Sequence, residues 1–201
     1  MTLWERLRAR RGAGVGAPRA GRGSTMVEAA IITPLVVLLL LGVVEFGWYM
    51  KDDLTLSNAS RAGARAGSAA GKDGLADYQV LQAIRGGLDG LAKVDKVVIF
   101  KGTGPSSTVP VACSGATSGT AGLCNVYDAS DLTLTDVQFL AAGYTKDDSW
   151  PASSRQTSLS AAGGPDYLGV WVRTNHASIT KAILNDKTID DGVIVRLEPT
   201  R

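Results

Sequence analysis

One long apolar stretch dominates the pattern near the N-terminus. Ala29 to Val44 is 16 residues without a charge, and if Glu45 is tolerated the stretch reaches Met50 and 22 residues. A helix needs about 20 residues to cross the hydrocarbon core of a bilayer. The segment LVVLLLLGVV is apolar on every face, as expected for a helix surrounded by lipid. The pattern predicts a membrane-spanning helix.

The distribution of charge predicts how that helix is oriented. Residues 1–23 hold six arginines and one glutamate, a net charge of +5, whereas the remaining chain has a net charge of −3. Positive charge beside a membrane segment tends to stay cytoplasmic, so we expect a cytoplasmic N-terminus and an extracytoplasmic C-terminal part. A secretory signal peptide is the competing interpretation, but its apolar region is usually shorter and its cleavage site follows that region. Nucleic acid could also attract the arginines, although membrane topology and anionic lipid explain them better.

The helical pattern continues beyond the apolar stretch. Residues 51–71 are rich in alanine and glycine, and Gly63, Gly67 and Gly71 follow a spacing that lets helix backbones approach closely. A flexible linker would have the same composition. Two arginines one turn apart and a glycine stop favour the helix.

The rest of the chain alternates short apolar segments with turn-rich ones. Together these patterns predict an α+β fold: a long N-terminal helix, one or two short helices and a small, mainly antiparallel sheet of about four strands, whose topology they do not determine. We expect a basic leader at 1–23, a transmembrane and stalk helix at 24–71 and an extracytoplasmic domain at 72–201. The predicted elements are an amphipathic helix at 75–92, strands at 96–100, 167–174 and 191–199, a short helix at 176–186, loops at 102–124 and 145–166, and a segment at 131–140 that fits a strand or a helix.

Two cysteines, Cys113 and Cys124, enclose ten residues rich in glycine, serine and threonine. A metal site would need a second cysteine pair or a nearby histidine, and the sequence supplies neither. Because the domain is expected outside the cytoplasm, where disulfides persist, we predict a disulfide that contributes about 3 kcal/mol. Two unpaired thiols are the alternative.

The sequence contains no pattern of catalytic or metal-binding residues. His176 is the only histidine, and neither a nucleophile elbow, a zinc-protease helix nor a P-loop is present. The acidic pairs at 52–53, 147–148 and 190–191 lack the ligand number and spacing that calcium requires. We therefore expect no enzyme activity, cofactor, metal, nucleic acid or small-molecule substrate.

Glu28 and Glu45 are the two carboxylates at the ends of the apolar stretch, and a charge at mid-membrane costs at least about 2.5–3.5 kcal/mol. Glu28 is the fifth residue after Gly23. A basic leader, this glycine, this spacing and the apolar stretch resemble a type IV prepilin signal, in which a membrane peptidase cuts after the glycine and would leave Ser24 as the first residue. In a bundle of such helices Glu28 could pair with a neighbour's new amine and set the register between subunits. Solvation of Glu28 at the headgroup boundary is the alternative.

Glu45 lies 17 residues after Glu28, roughly 25 Å along a helix. This position and the adjacent Trp48 and Tyr49 fit an interfacial carboxylate that reaches water. An assembly role, as for Glu28, is the other interpretation.

A narrower resemblance covers about 45 residues at the front and the ending VIVRLEPT at 193–200. These segments resemble TadE-like proteins, the minor pilins or pseudopilins of tight-adherence (Flp-type) pilus systems. The matching positions are Glu28, Ala29, Pro34, Glu45, Phe46, Gly47, Arg61, Gly63, Ala64 and Arg65.

The resemblance implies a precursor that is cut by a prepilin peptidase and takes part in assembling an adhesive pilus. Its partners would be other pilins and a membrane assembly platform driven by a separate ATPase. The alternative function is an uncleaved, single-pass anchored protein whose outer domain binds a ligand or surface. A third possibility, an anchored hydrolase, would need His176 beside a nucleophile and a carboxylate.

Overall fold

The first helix, α1 (Gly21–Ala70), is the longest element of the chain. The computed structural model describes residues 21–88, 94–178, 181 and 185–199. The helix ends where Gly71 adopts φ +56°, and the Gly71 N–H donates to the Gly67 carbonyl at 3.1 Å. Such a left-handed glycine is a common helix terminator. The segment at 51–70 is thus helix and not a flexible linker.

The chain forms two compact units, one ending at Val43 and the other beginning at Val44. In the first unit α1 is apolar on all sides, and its most apolar 18-residue window has a mean hydropathy of 2.6 and no buried residue. Among the described residues, α1 is the helix that is long and apolar enough to cross a membrane. The predicted span is confirmed in length and composition.

The second unit contains a four-stranded antiparallel sheet, as predicted. Its spatial order is β2-β1-β3-β4, so the two central strands come from distant parts of the chain. The strands predicted at 96–100 and 167–174 are longer than predicted, because cross-strand pairing continues past the apolar core of each segment. The strand predicted at 191–199 begins and ends earlier, and the short strand that begins at Cys124 was not predicted. The strands are β1 (Val94–Gly102), β2 (Cys124–Tyr127), β3 (Tyr167–His176) and β4 (Lys187–Arg196).

The remaining described elements are short helices. The segment at 131–140, which fitted a strand or a helix, is helical: Thr135 and Gln138 form a reciprocal capping box at the start of α4. The expected loop at 102–124 contains one helical turn. The expected helix at 176–186 lies largely outside the described residues, and its first residue, His176, ends β3. These elements are α2 (Ala76–Gly87), α3 (Val111–Ser114), α4 (Asp136–Phe139) and 3₁₀ turns at Asp131–Thr133 and Ala152–Ser154.

The core of the second unit lies on both faces of the sheet. Alternate residues of β1 enter different clusters, because successive side chains of a strand point to opposite faces. Val97 and Ile99 pack in the cluster that includes α1 and α2 residues, whereas Val98 and Phe100 pack with Trp171 and the two cysteines.

The glycines of α1 serve close approach inside the chain. A Cβ added at Gly67 would contact Leu168 of β3 and lie 2.7 Å from a methyl group of Val80 in α2. A Cβ added at Gly63 would lie 2.6 Å from Ile84 of α2. The small-residue pattern therefore lets α1 pack against its own domain.

Candidate assembly site

The exposed apolar surface of α1 is the main functional feature of the first unit. Large side chains such as Met26, Ile31 and Leu39 are 75%, 71% and 63% exposed. A contiguous apolar surface of this size marks contact with lipid or with other proteins. Glu28 lies on this segment and is itself exposed.

Gly23 lies near the beginning of α1, five residues before Glu28. A Cβ added to Gly23 would meet no atom within 4 Å. Packing within the described chain therefore gives no reason for a glycine at this position. Ser24 follows it within the same helix.

Glu45 is placed differently from the expected interfacial position. It is fully buried in the second unit and has an interaction partner, so its carboxylate does not reach water. The reason is tertiary: this side of α1 also carries Tyr49 and Leu56, which belong to the core of the second unit or pack against it. The interpretation of Glu45 as a solvated interfacial carboxylate is wrong.

The only histidine is also buried. His176 Nδ1 lies 2.7 Å from Asp52 Oδ2, and the ring of Tyr49 meets the imidazole edge-on at 5.6 Å between centroids. Among the described residues, no group forms a hydrogen bond with Nε2. Among the described residues, His176 is therefore hydrogen-bonded to a carboxylate, and no nucleophile forms a hydrogen bond with its ring.

A second buried polar cluster joins α2 and β2 to the loop before β3, and the sequence analysis missed it. The Arg155 guanidinium donates to Asp77, which also accepts 2.7 Å hydrogen bonds from Asn125 Nδ2 and the Tyr127 hydroxyl. Arg155 also stacks on the ring of Trp150 at 4.5 Å. The available signal was that Asp77 lies on the apolar face of α2, one turn before the apolar residues 80 and 81 and two turns before residue 84.

Burial and charge shift the ionisation of groups around this cluster. Burial raises the pKa of Tyr127 well above its usual value, and the Asp77 carboxylate raises it further, so the phenol stays protonated and donates. On the surface, a hydrogen bond from Lys146 is the largest cause that lowers the pKa of Asp128 to about 2. The Tyr127 shift reflects mainly burial, and the Asp128 shift reflects mainly a hydrogen bond.

Cys113 and Cys124 form the predicted disulfide, with their Cα atoms 6.3 Å apart. It links α3 to β2 on the side of the sheet that holds Val98 and Phe100. The alternative of two unpaired thiols is excluded.

Among the described residues, one long apolar helix is joined to a small disulfide-bonded α+β domain, and this arrangement suggests the class of single-pass membrane proteins. Residues 23–65 match the model of the TadE-like protein family, which confirms the resemblance seen in the sequence. The match covers less than half of the chain. No curated protein and no solved structure matches the chain significantly.

Proposed function

We propose that the chain is a minor pilin or pseudopilin that a prepilin peptidase cuts between Gly23 and Ser24. The observation that carries this proposal is an apolar helix whose most apolar 18-residue window has no buried residue, with Gly23 and Glu28 near its start at the spacing of a prepilin signal. A glycine that packing does not require is explained if the backbone must enter a narrow protease groove. Removing the leader would keep the apolar helix as an assembly element.

The proposed orientation places the leader in the cytoplasm and the second unit outside. The arginines of the leader favour a cytoplasmic N-terminus. The disulfide supports an oxidising compartment for the second unit.

The proposed role is structural and not catalytic. His176 faces Asp52, and the described residues offer its second nitrogen no hydrogen-bond partner. Other pilins, the peptidase and a membrane assembly platform are the proposed partners.

Cleavage is tested by Gly23→Val, with Gly47→Val as the matched control. Both glycines lie in α1, and a Cβ at either would meet no atom within 4 Å, so the two positions are matched in the space around the first side-chain carbon. We expect N-terminal sequencing to give Ser24 for the parent and the control, and the uncut leader for Gly23→Val, because a β-branched side chain blocks the groove. A parent that retains Met1 in cells with normal fibres would refute the proposal and favour the uncleaved anchored protein.

The role of Glu28 is tested by Glu28→Gln, with Glu198→Gln as the control. Both residues are exposed, and both changes remove one negative charge at nearly constant volume. We expect Glu28→Gln to be processed and inserted normally but to be absent from the assembled pilus machinery, because the Ser24 amine of a neighbour loses its counter-charge. Co-purification with other pilins measures this. Unchanged co-purification of Glu28→Gln would remove Glu28 from the mechanism.

A further inference from the structure

Within the second unit, α1 leaves one face uncovered, and this face is basic. Exposed positions recur every three or four residues from Lys51 to Ala69, as expected for one side of a helix. We define the basic face as Lys51, Leu54, Arg61 and Arg65 of α1, together with Lys72 directly after the helix. From residue 54 to residue 72 the sequence contains no acidic residue.

The cations of this face are not neutralised within the described chain. None of Lys51, Arg61, Arg65 and Lys72 forms an ion pair with another described residue. Lys51 lies 5.1 Å from the ring of Trp48, and Leu54 is 64% exposed. The face thus combines unpaired positive charge with an exposed apolar side chain.

A complementary surface follows β2. We define the acidic segment as residues 128–148, which contain five aspartates and one lysine. The lysine, Lys146, contacts Asp128 and Asp131 at 2.8 and 2.6 Å, whereas Asp136 and Asp148 are exposed and have no ion pair among the described residues. Beside them Val137 and Leu140 are 75% and 60% exposed.

The two surfaces belong to opposite edges of the sheet. The acidic segment directly follows the edge strand β2, and its Phe139 packs near Tyr127 at 6.4 Å between ring centroids. On the other side, α1 reaches the edge strand β4, where the Ser68 hydroxyl donates to the Arg196 carbonyl at 2.7 Å. Among the described residues, no ion pair joins the basic face to the acidic segment within one molecule.

From this arrangement we infer that the basic face of one molecule binds the acidic segment of a second copy. Arg61 and Arg65 would face Asp136 and Asp148, and Leu54 would cover Val137 and Leu140. Because the two surfaces differ, a pair of copies has one unused basic face at one end and one unused acidic segment at the other, and the contact propagates into a row. The inference concerns the second unit and needs no cleavage at Gly23, so it goes beyond the proposed function.

The contact is expected to be weak in each pair and sensitive to salt. Exposed ion pairs contribute about 0.2–1 kcal/mol each, so several must form together with the apolar contact. Charge complementarity mainly determines specificity and falls as salt screens it.

The test uses the full chain in detergent micelles and measures self-association by analytical ultracentrifugation. One variant reverses the basic face (Arg61→Glu with Arg65→Glu) and another reverses the acidic segment (Asp136→Lys with Asp148→Lys). The control, Lys181→Glu with Lys187→Glu, makes the same charge change as the first variant at two other exposed positions.

We expect each reversed variant alone to associate at least tenfold more weakly than the parent and the control. An equal mixture of the two variants is expected to associate as the parent does, because each reversed surface then meets an opposite charge. This restoration also shows that both variants are folded.

A monomeric parent, an unchanged basic-face variant or a mixture that does not associate would each overturn the inference. N-terminal sequencing of the parent reports on cleavage independently. Failure of the contact and failure of the proposed function are therefore distinguishable.

Discussion

At the scale of single residues, Asp77 is a buried carboxylate that accepts hydrogen bonds from three side chains. It lies in the interior and neutralises the fully buried guanidinium of Arg155. Removing one partner of a buried ion pair leaves an uncompensated charge, whereas removing both is often neutral. The Asp77–Arg155 pair therefore positions α2 against β2 and the loop before β3.

Asp77→Ala is expected to lower the free energy of unfolding by about 3–5 kcal/mol, because Arg155 then has no counter-charge. The double variant Asp77→Leu with Arg155→Leu should recover part of this loss. Recovery will be incomplete because Asn125 and Tyr127 also donate to Asp77. Denaturant unfolding of the full chain in detergent measures both, and an unchanged midpoint for Asp77→Ala would contradict the assigned role.

At the scale of elements, the close approach of α1 and α2 depends on one of two adjacent glycines in α2. A Cβ added at Gly87 would lie 2.8 Å from the backbone Cα of Ala59, whereas one added at Gly86 would meet no atom within 4 Å. The sequence shows only that both glycines weaken the helix. Only the folded structure shows that Gly87 is required for packing, whereas Gly86 merely lowers helix propensity.

Gly87→Ala is expected to destabilise the domain by about 1–3 kcal/mol, because backbone atoms of α1 must shift. Gly86→Ala, its matched control, should stabilise the domain by about 0.5–1 kcal/mol by favouring the helix. Thermal unfolding followed by far-ultraviolet circular dichroism checks both signs. Equal effects of the two substitutions would mean that α1 and α2 do not approach as closely as described.

At the scale of the whole molecule, the disulfide and the basic leader bear on the same question, the compartment of the second unit. Disulfides persist in oxidising compartments and are rare in the cytosol. The charge of residues 1–23 independently favours a cytoplasmic leader. The two features support one orientation.

If that orientation is correct, Cys113 and Cys124 will resist alkylation in freshly lysed, denatured cells and react only after reduction. The reduced sample is the control for reagent access. Mass spectrometry of the peptides that contain the two cysteines gives the result. Full alkylation before reduction would place the second unit in a reducing compartment.

The sequence alone determined the features that depend only on residues close together in the chain. The apolar stretch, the helix that continues to residue 70 and three of the four strand segments follow from periodicity and composition. The helix needs no long-range contact, because a lipid-facing helix satisfies its backbone internally. The match at 23–65 agrees with the resemblance of this segment to TadE-like proteins. The pairing of Cys113 with Cys124 was predictable because the sequence offers a single partner for each.

Tertiary structure decided the features that depend on contacts between distant segments. The strand order β2-β1-β3-β4, the burial of Glu45, the meeting of His176 with Asp52 and the Asp77–Arg155 pair join residues far apart in the chain. The sequence around a polar residue does not identify the partner whose hydrogen bond or charge compensates for its burial. That partner exists only once the chain has folded.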